Sequence, residues 1–254
     1  MVKKFFKVII FLLFILTGVF LWHRGKRQSP YLKWGELNCQ KLGFNSWPGV
    51  LIIFNSGGWG DTAFEEAEDF AKVVRGIKTT INKLGRKTCV VSYGRTKNNF
   101  LGRIQGMKEI LSSFRSQSER LAGQVKIFLE NNPQGKVLMT GLSLGAHFVG
   151  ETMEKIDPKA PVLAIKAGTP FRRYAQKSKN ILELIHQNDF LAMGNHQALL
   201  GVALRGIIRW AGAKIKGQKL SLAKAVHVPG HRYDWKFPWV KDEIVSFLEN
   251  NLRF

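Results

Sequence analysis

The chain has 254 residues, enough for one α/β domain with a sizeable core. Lysine and arginine outnumber aspartate and glutamate by 39 to 18, so the formal net charge is +21. Such a charge favours anionic partners such as phospholipid headgroups or nucleic acid. Because the sequence carries no zinc-finger, RNA-binding or helix-turn-helix signature, we favour a membrane surface and expect no nucleic acid partner.

The first element is an almost wholly apolar segment from Phe5 to Trp22, with cations on both sides of it. Its length suits a transmembrane helix or a signal peptide. No small-residue cleavage site follows, so we favour an uncleaved, single-pass membrane anchor over residues 1–27, with a cleaved signal peptide as the alternative. The flanking cations leave the side of the membrane open.

A connector over residues 28–47 precedes the domain, which we expect over residues 48–254. It contains Cys39, whereas the second cysteine, Cys89, lies in a predicted strand. The spacing of the two matches no metal-ligand or redox motif. We therefore expect two unrelated thiols rather than a disulfide, and no metal site.

Short apolar strands alternate with helical segments along the domain. The helical segments cover residues 62–84, residues 104–131 (as one long helix or two shorter ones) and residues 239–252. The predicted strands cover residues 49–54, 87–93, 137–139, 160–168, 180–189 and 222–228. This alternation is typical of an α/β domain with a mostly parallel central sheet and helices on both faces.

The most informative motif is Gly141-Leu142-Ser143-Leu144-Gly145, a G-x-S-x-G pattern between a buried strand and a helix. A serine on so tight a turn has a strained backbone, and the small residues two before and two after it let strand and helix pass closely. The hydroxyl is then exposed near the positive end of the helix. The alternative is an ordinary glycine-bounded turn with a solvent-facing serine.

The segment Gly141–Gly150 resembles the nucleophile elbow of the α/β-hydrolase superfamily, and its Ser-Leu-Gly-Ala-His sequence is similar to lipase elbows. Leu142 departs from the histidine that many lipases have before the serine. The resemblance implies an α/β-hydrolase fold, Ser143 as the nucleophile, and acyl transfer that needs no metal or organic cofactor.

In the superfamily, the loop after the strand at 49–54 supplies one backbone N–H of the oxyanion hole. The resemblance therefore implies Gly57 or Gly58 as one donor and Leu144 as the other. Asn55 and Ser56 stand where His-Gly is often found, so this match is loose. The alternative for the loop is a plain glycine turn.

The resemblance also implies the acid of the catalytic triad. Superfamily members commonly carry it at the end of the second strand after the elbow, where this chain has Asp189. Asp157 precedes the first of these strands and Glu183 lies inside the second, so both fit less well.

The histidine of the triad is expected in the loop after the last strand, where Gly230-His231 resembles the superfamily pattern. His227, inside the predicted strand, is the alternative. We expect His147 and His186 to be structural. The order Ser143, Asp189, His231 is the order found in α/β-hydrolases.

A basic amphipathic insertion is predicted at about residues 194–222, between the expected acid and histidine. Apolar residues fall on one helical face, and Arg205 and Arg209 fall on another. This pattern is typical of a helix that binds a membrane surface. An ordinary surface helix packed on the core is the alternative.

The sequence therefore predicts a membrane-anchored serine hydrolase that cleaves carboxylic esters or thioesters. The anchor, the basic surface and the lipase-like elbow point to acyl lipids as substrates. The alternative is a catalytically inactive α/β-hydrolase-fold protein that serves as a membrane scaffold or binding protein.

Overall fold

The chain divides into two compact units, residues 1–30 and residues 31–254, and only the second contains residues that the computed structural model describes. The described residues are 32–33, 48–67, 70–96, 100–170, 178–194, 201, 205–206, 208–209, 211–213, 215–218, 228 and 230–252. The predicted anchor and most of the connector lie outside them. Among the described residues, no helix combines the length and apolar character needed to cross a bilayer.

The domain is built on a six-stranded sheet with the strand order β1-β3-β2-β4-β5-β6. Its edge strand β1 pairs antiparallel with β3, and the remaining pairs are parallel. The strands are β1 (Leu32–Lys33), β2 (Val50–Asn55), β3 (Thr88–Tyr93), β4 (Lys136–Leu142), β5 (Val162–Ala167) and β6 (Ile181–Leu184). The predicted mostly parallel sheet is confirmed, although β6 is shorter than the predicted strand at 180–189. Of the strand predicted at 222–228, only residue 228 is described.

Described residues between 201 and 215, in the basic insertion, are helical. Five further helices have both of their ends among the described residues. They are α1 (Ala71–Lys83), α2 (Phe100–Leu111), α3 (Arg115–Asn131), α4 (Leu144–Met153) and α5 (Pro238–Leu252). The helix predicted at 62–84 begins only at Ala71, after a short 3₁₀ turn. The segment at 104–131 forms two helices, because Ser113 and Phe114 adopt positive φ angles of 51° and 55° and interrupt the helical hydrogen bonding.

The sheet is buried on both faces, which explains the nearly continuous apolar runs of its strands. Along β2, alternate side chains enter two separate cores. Ile52 and Phe54 pack with residues of α1 and α5 on one face, whereas Leu51 and Ile53 pack with residues of α3 and α4 on the other. The predicted helices on both faces of the sheet are thus confirmed.

Cys89 is disulfide-bonded, so the expectation of two unrelated thiols is wrong. The sequence contains one other cysteine, Cys39, which lies outside the described residues. The pairing at the edge of the sheet explains why a disulfide can form there. Because Leu32 in β1 pairs with Tyr93 in β3 antiparallel, the described part of the connector lies beside the strand that carries Cys89. Sequence spacing alone does not show that proximity.

Candidate active site

Ser143 lies between the last residue of β4 and the first residue of α4, with φ 55° and ψ −122°. Non-glycine residues rarely adopt such angles, so the surrounding structure must hold the turn in place. One such restraint is a 2.9 Å hydrogen bond from the Ser143 N–H to the Ala167 carbonyl oxygen at the end of β5. The serine itself is half-buried, so it occupies the strained, partly accessible position that the motif predicted.

The two glycines of the motif are explained by close contacts. A Cβ atom on Gly141 would lie 2.5 Å from the carbonyl carbon and oxygen of Gly145. A Cβ atom on Gly145 would lie 2.5 Å from the carbonyl oxygens of Asn55 and Ser56. Any side chain at either position would therefore push α4 away from β4 or from the loop after β2.

Asp189 is fully buried in the turn after β6, where its carboxylate accepts four hydrogen bonds. Its Oδ1 atom accepts the N–H groups of Leu191 and Ala192 at 3.0 and 3.1 Å. Its Oδ2 atom lies 2.8 Å from Nδ1 of His231, and the Tyr233 hydroxyl donates to the same oxygen at 2.8 Å. The structure thus brings the predicted acid and histidine into direct contact.

These hydrogen bonds decide the charge state of Asp189. Burial alone would raise the pKa of the carboxyl group, but the hydrogen bond and charge of His231, the Ala192 N–H and the Tyr233 hydroxyl outweigh it. The pKa of Asp189 therefore lies below its usual value, and the group is an anion at neutral pH. An anionic acceptor at Nδ1 fixes the neutral imidazole in the tautomer whose Nε2 atom can accept a proton.

His231 and Ser143 each contact a residue at the end of β5. Gly168 follows Ala167, whose carbonyl oxygen binds the Ser143 N–H. A Cβ atom on Gly168 would lie 2.7 Å from Cε1 and 3.0 Å from Nδ1 of His231. The imidazole therefore packs against the residue that follows the acceptor of the Ser143 N–H.

Two of the three residues predicted for the oxyanion hole, Gly57 and Leu144, adjoin Ser143. A Cβ atom on Gly57 would lie 3.7 Å from the Ser143 Cβ and 3.3 Å from the Leu142 carbonyl oxygen. Gly58 has a φ of 55°, and a Cβ atom there would have no neighbour within 4 Å. Leu144 is the first residue of α4, where a backbone N–H has no acceptor within its own helix. Of the two glycines, Gly57 is the nearer to the serine.

The less favoured acids have other partners. Glu183 forms an ion pair with the buried Lys166 at 3.2 Å. Asp157 accepts the Lys159 N–H at 2.8 Å in an exposed turn.

The two histidines that we expected to be structural, His147 and His186, have other side-chain partners among the described residues. His147 pairs with Glu151 at 3.3 Å on α4. The His186 ring accepts the Asn188 N–H at Nδ1, and the backbone N–H of His186 donates to the Tyr233 hydroxyl oxygen. His227 lies outside the described residues. No cluster of three or more potential metal ligands exists in the part of the chain that the structure describes.

Two site residues escape sequence reasoning. The Tyr233 hydroxyl donates to Asp189, and Arg95 donates to the carbonyl oxygens of Leu144 in the elbow and of Ser56 in the loop after β2. Neither belongs to a motif, and no signal in the sequence marks them.

No family model and no curated protein matches the chain. Among solved structures, it is similar to Trichoderma reesei cutinase in complex with a phosphonate inhibitor, with a TM-score of 0.50 at 14% identity, covering 85% of this chain and 84% of that one. It is also similar to a cutinase-like protein from Cryptococcus sp., with a TM-score of 0.47 at 12% identity, covering 82% and 96%. An α/β serine hydrolase from Xanthomonas campestris is similar with a TM-score of 0.30 at 17% identity, covering 54% of this chain and 58% of that one.

At such identities the likeness to the Trichoderma reesei cutinase concerns the fold. Together with the sheet order and the elbow, it confirms that the chain has the α/β-hydrolase fold.

Proposed function

We propose that the protein is a serine hydrolase that cleaves carboxylic esters or thioesters. The observation that carries the proposal is the 2.8 Å contact between Asp189 Oδ2 and His231 Nδ1, beside a serine in a strained elbow. A structural serine would not need such a conformation, and a buried carboxylate on the imidazole prepares that ring to accept a proton.

The proposed reaction has two halves, acylation of Ser143 and hydrolysis of the acyl-enzyme. Ser143 Oγ attacks the acyl carbon while His231 Nε2 takes its proton, and Asp189 stabilises the imidazolium that forms. The N–H groups of Leu144 and Gly57, with Gly58 as the alternative, bind the oxyanion. The tetrahedral intermediate expels the alcohol or thiol, which receives the proton from His231. Water, activated by the same histidine, then attacks the acyl-enzyme and releases the carboxylic acid and Ser143.

The test is hydrolysis of p-nitrophenyl esters of increasing acyl length by the wild type and by Ser143→Ala, in detergent. We expect activity that is lost in Ser143→Ala and kept in Ser116→Ala, which changes an exposed serine on α3. A fluorophosphonate probe should label only proteins that retain Ser143. If the wild type is inert and unlabelled, the protein is an inactive member of the fold that serves as a membrane scaffold or binding protein.

We further propose that the protein acts at an anionic membrane surface, with acyl lipids as substrates. Ile208 and Ile215 are 63% and 88% exposed within the basic insertion. Arg205, Arg209 and Lys216 are exposed around them. Exposed apolar side chains flanked by cations match a negatively charged lipid interface. This surface and the predicted N-terminal anchor together support attachment to the membrane.

The disulfide at Cys89 bears on the compartment. Disulfides persist in oxidising environments and are rare in the cytosol. The cations at both ends of the predicted anchor do not decide on which side of the membrane the domain lies. Because of the disulfide, we propose that the catalytic domain lies on the oxidising side.

A further inference from the structure

Arg95 follows β3 and is only 4% exposed, although it carries a charge. Its Nη2 atom donates to the carbonyl oxygens of Ser56 at 2.6 Å and Gly58 at 3.2 Å. Its Nη1 atom donates to the carbonyl oxygen of Leu144 at 3.4 Å. One guanidinium group therefore joins the loop after β2 to the first residue of α4, and these are the two segments that contain the proposed oxyanion donors.

The orientation of the donors follows from the geometry of the peptide bond. In a trans peptide, the C=O group and the N–H group of the next residue point in opposite directions. The Ser56 carbonyl shares its peptide with the Gly57 N–H, so holding that carbonyl on Arg95 turns the Gly57 N–H away from the guanidinium. The bond to the Leu144 carbonyl oxygen holds the residue that carries the second donor, whose own N–H belongs to the preceding peptide.

The side chain of Arg95 is itself held in place. Its guanidinium carbon lies 5.1 Å and 5.7 Å from the ring centroids of Phe114 and Phe148. A Cβ atom on Gly60 would lie 2.4 Å from the Nε atom of Arg95. The Gln117 side chain donates to the backbone carbonyl oxygen of Arg95 at 3.0 Å. These contacts leave the guanidinium little freedom to turn.

Burying a cation costs free energy that neutral packing would avoid. Burial lowers the pKa of Arg95 to about 10, so the side chain still carries its charge at neutral pH. The positive charge sits behind the carbonyl groups whose residues surround the place where the oxyanion forms. Positive potential at that place stabilises the transition state more than the ground state.

We infer that Arg95 is the positioning residue of the oxyanion hole: it holds the loop at residues 56–58 against Leu144 and so aims the Gly57 N–H group, beside the Leu144 N–H group, at the developing oxyanion. This role presupposes the proposed hydrolase function. Arg95 itself does not touch the substrate.

The kinetic test compares the wild type with Arg95→Met and Arg95→Lys on p-nitrophenyl butyrate. We expect Arg95→Met to lower kcat about 100-fold, the size of the loss of one oxyanion donor. KM should change less than about threefold, because the interaction forms in the transition state. Arg95→Lys should fall between the two, since an ammonium group donates but lacks the planar fork.

A transition-state analogue sharpens the test. The affinity for an alkyl trifluoromethyl ketone should fall by the same factor as kcat/KM. The control is Arg75→Met, which removes an exposed cation 5.6 Å from the Phe64 ring. This variant should leave kcat, KM and the affinity for the ketone unchanged. A folded Arg95→Met protein with kcat within twofold of the wild type overturns the role. If Arg95→Met does not fold, an Arg95→Lys protein with unchanged kcat and ketone affinity overturns it equally.

A second readout does not depend on activity. Hydrogen exchange of the backbone amides at residues 55–60 and 143–147 should be faster in Arg95→Met or Arg95→Lys than in the wild type and Arg75→Met. Unchanged exchange there overturns the positioning role, whatever the activity. A wild type that neither hydrolyses esters nor reacts with fluorophosphonate instead overturns the hydrolase function, so the two failures are distinguishable.

Discussion

The Ser143 N–H donates a 2.9 Å hydrogen bond to the carbonyl oxygen of Ala167. Leu142 already pairs with Ala167 in the β4–β5 ladder, so this bond fixes the serine to the end of the neighbouring strand. Gly168, the next residue along, touches the imidazole of His231. The end of β5 therefore sets the position of both the proposed nucleophile and the proposed base.

Replacing Gly168 with alanine should disturb this arrangement. The new Cβ would lie 2.7 Å from His231 Cε1, and the residue has a φ of +59°. We expect kcat/KM for p-nitrophenyl butyrate to fall about tenfold or more, because small displacements of catalytic groups are costly. The strained φ should lower the free energy of unfolding by about 1–3 kcal/mol.

Gly85→Ala is the matched control for this prediction. Gly85 has a φ of +81°, but a Cβ there would have no neighbour within 4 Å. The Gly85→Ala variant should lose a free energy of unfolding similar to that lost by Gly168→Ala, because both replace a glycine with a positive φ. It should keep the wild-type kcat/KM per folded molecule. Equal kcat/KM losses in the two variants would contradict the role of Gly168 as the support of His231.

Asp189→Asn should lower kcat by roughly 10³–10⁴-fold, the scale known for loss of the triad carboxylate. Each carboxylate oxygen faces two donors. An asparagine NH₂ group would oppose one of these pairs in either orientation, so the histidine loses its tautomer or the turn loses its bonds. Asp157→Asn, at an exposed turn, is the control. The measurement is kcat from steady-state ester hydrolysis. An Asp189→Asn protein as active as the Asp157→Asn control would exclude the triad role of Asp189.

The lowered pKa of Asp189 also predicts how stability depends on pH. A carboxyl group whose pKa is lower in the folded than in the unfolded state stabilises the fold above its unfolded pKa, and that contribution is lost as pH falls through the folded pKa. The free energy of unfolding should therefore drop below about pH 4. Urea unfolding from pH 6 to pH 3 should show a flatter dependence for Asp189→Asn, and identical slopes would speak against the shift.

Local features of the site could be predicted from the sequence because neighbouring residues encode them. The elbow is a five-residue pattern, and its glycine contacts follow directly from the turn. Asp189 and His231 could be predicted because the resemblance to the α/β-hydrolase superfamily implies an acid at the end of the second strand after the elbow and a histidine in the loop after the last strand.

Long-range contacts could not be predicted in this way. Arg95 reaches Ser56 across 39 residues and Leu144 across 49. Tyr233 reaches Asp189 across 44 residues. Their partners are backbone carbonyls or a side chain on another element, and neither type of contact leaves a pattern in the sequence. The disulfide at Cys89 escaped for the same reason.

The disulfide makes a further prediction about compartment. In the native, unreduced protein, Cys89 should resist alkylation by a maleimide reagent and react only after reduction. Serine substitution at Cys89 should destabilise the domain by about 2–4 kcal/mol, the typical contribution of a disulfide. Gel mobility after alkylation is the measurement. Free thiols in protein isolated under alkylating conditions would place the domain in a reducing compartment.

Deleting residues 1–27 should leave hydrolysis of soluble short-chain esters intact and weaken action on lipid vesicles, because the compact unit at residues 31–254 contains the proposed site. Equal loss on both substrates would show that the segment is more than an anchor.

In this shortened protein, residual binding to anionic vesicles should depend on the basic insertion and fall as salt screens the charges. Replacing Ile208 and Ile215 with serine should reduce co-sedimentation with those vesicles, because both side chains are exposed beside cations. Ile127→Ser is the control, since Ile127 is 58% exposed on α3, outside the insertion. If the control weakens binding as much as the double variant, or if neutral vesicles bind equally well, the insertion is not the membrane-facing surface.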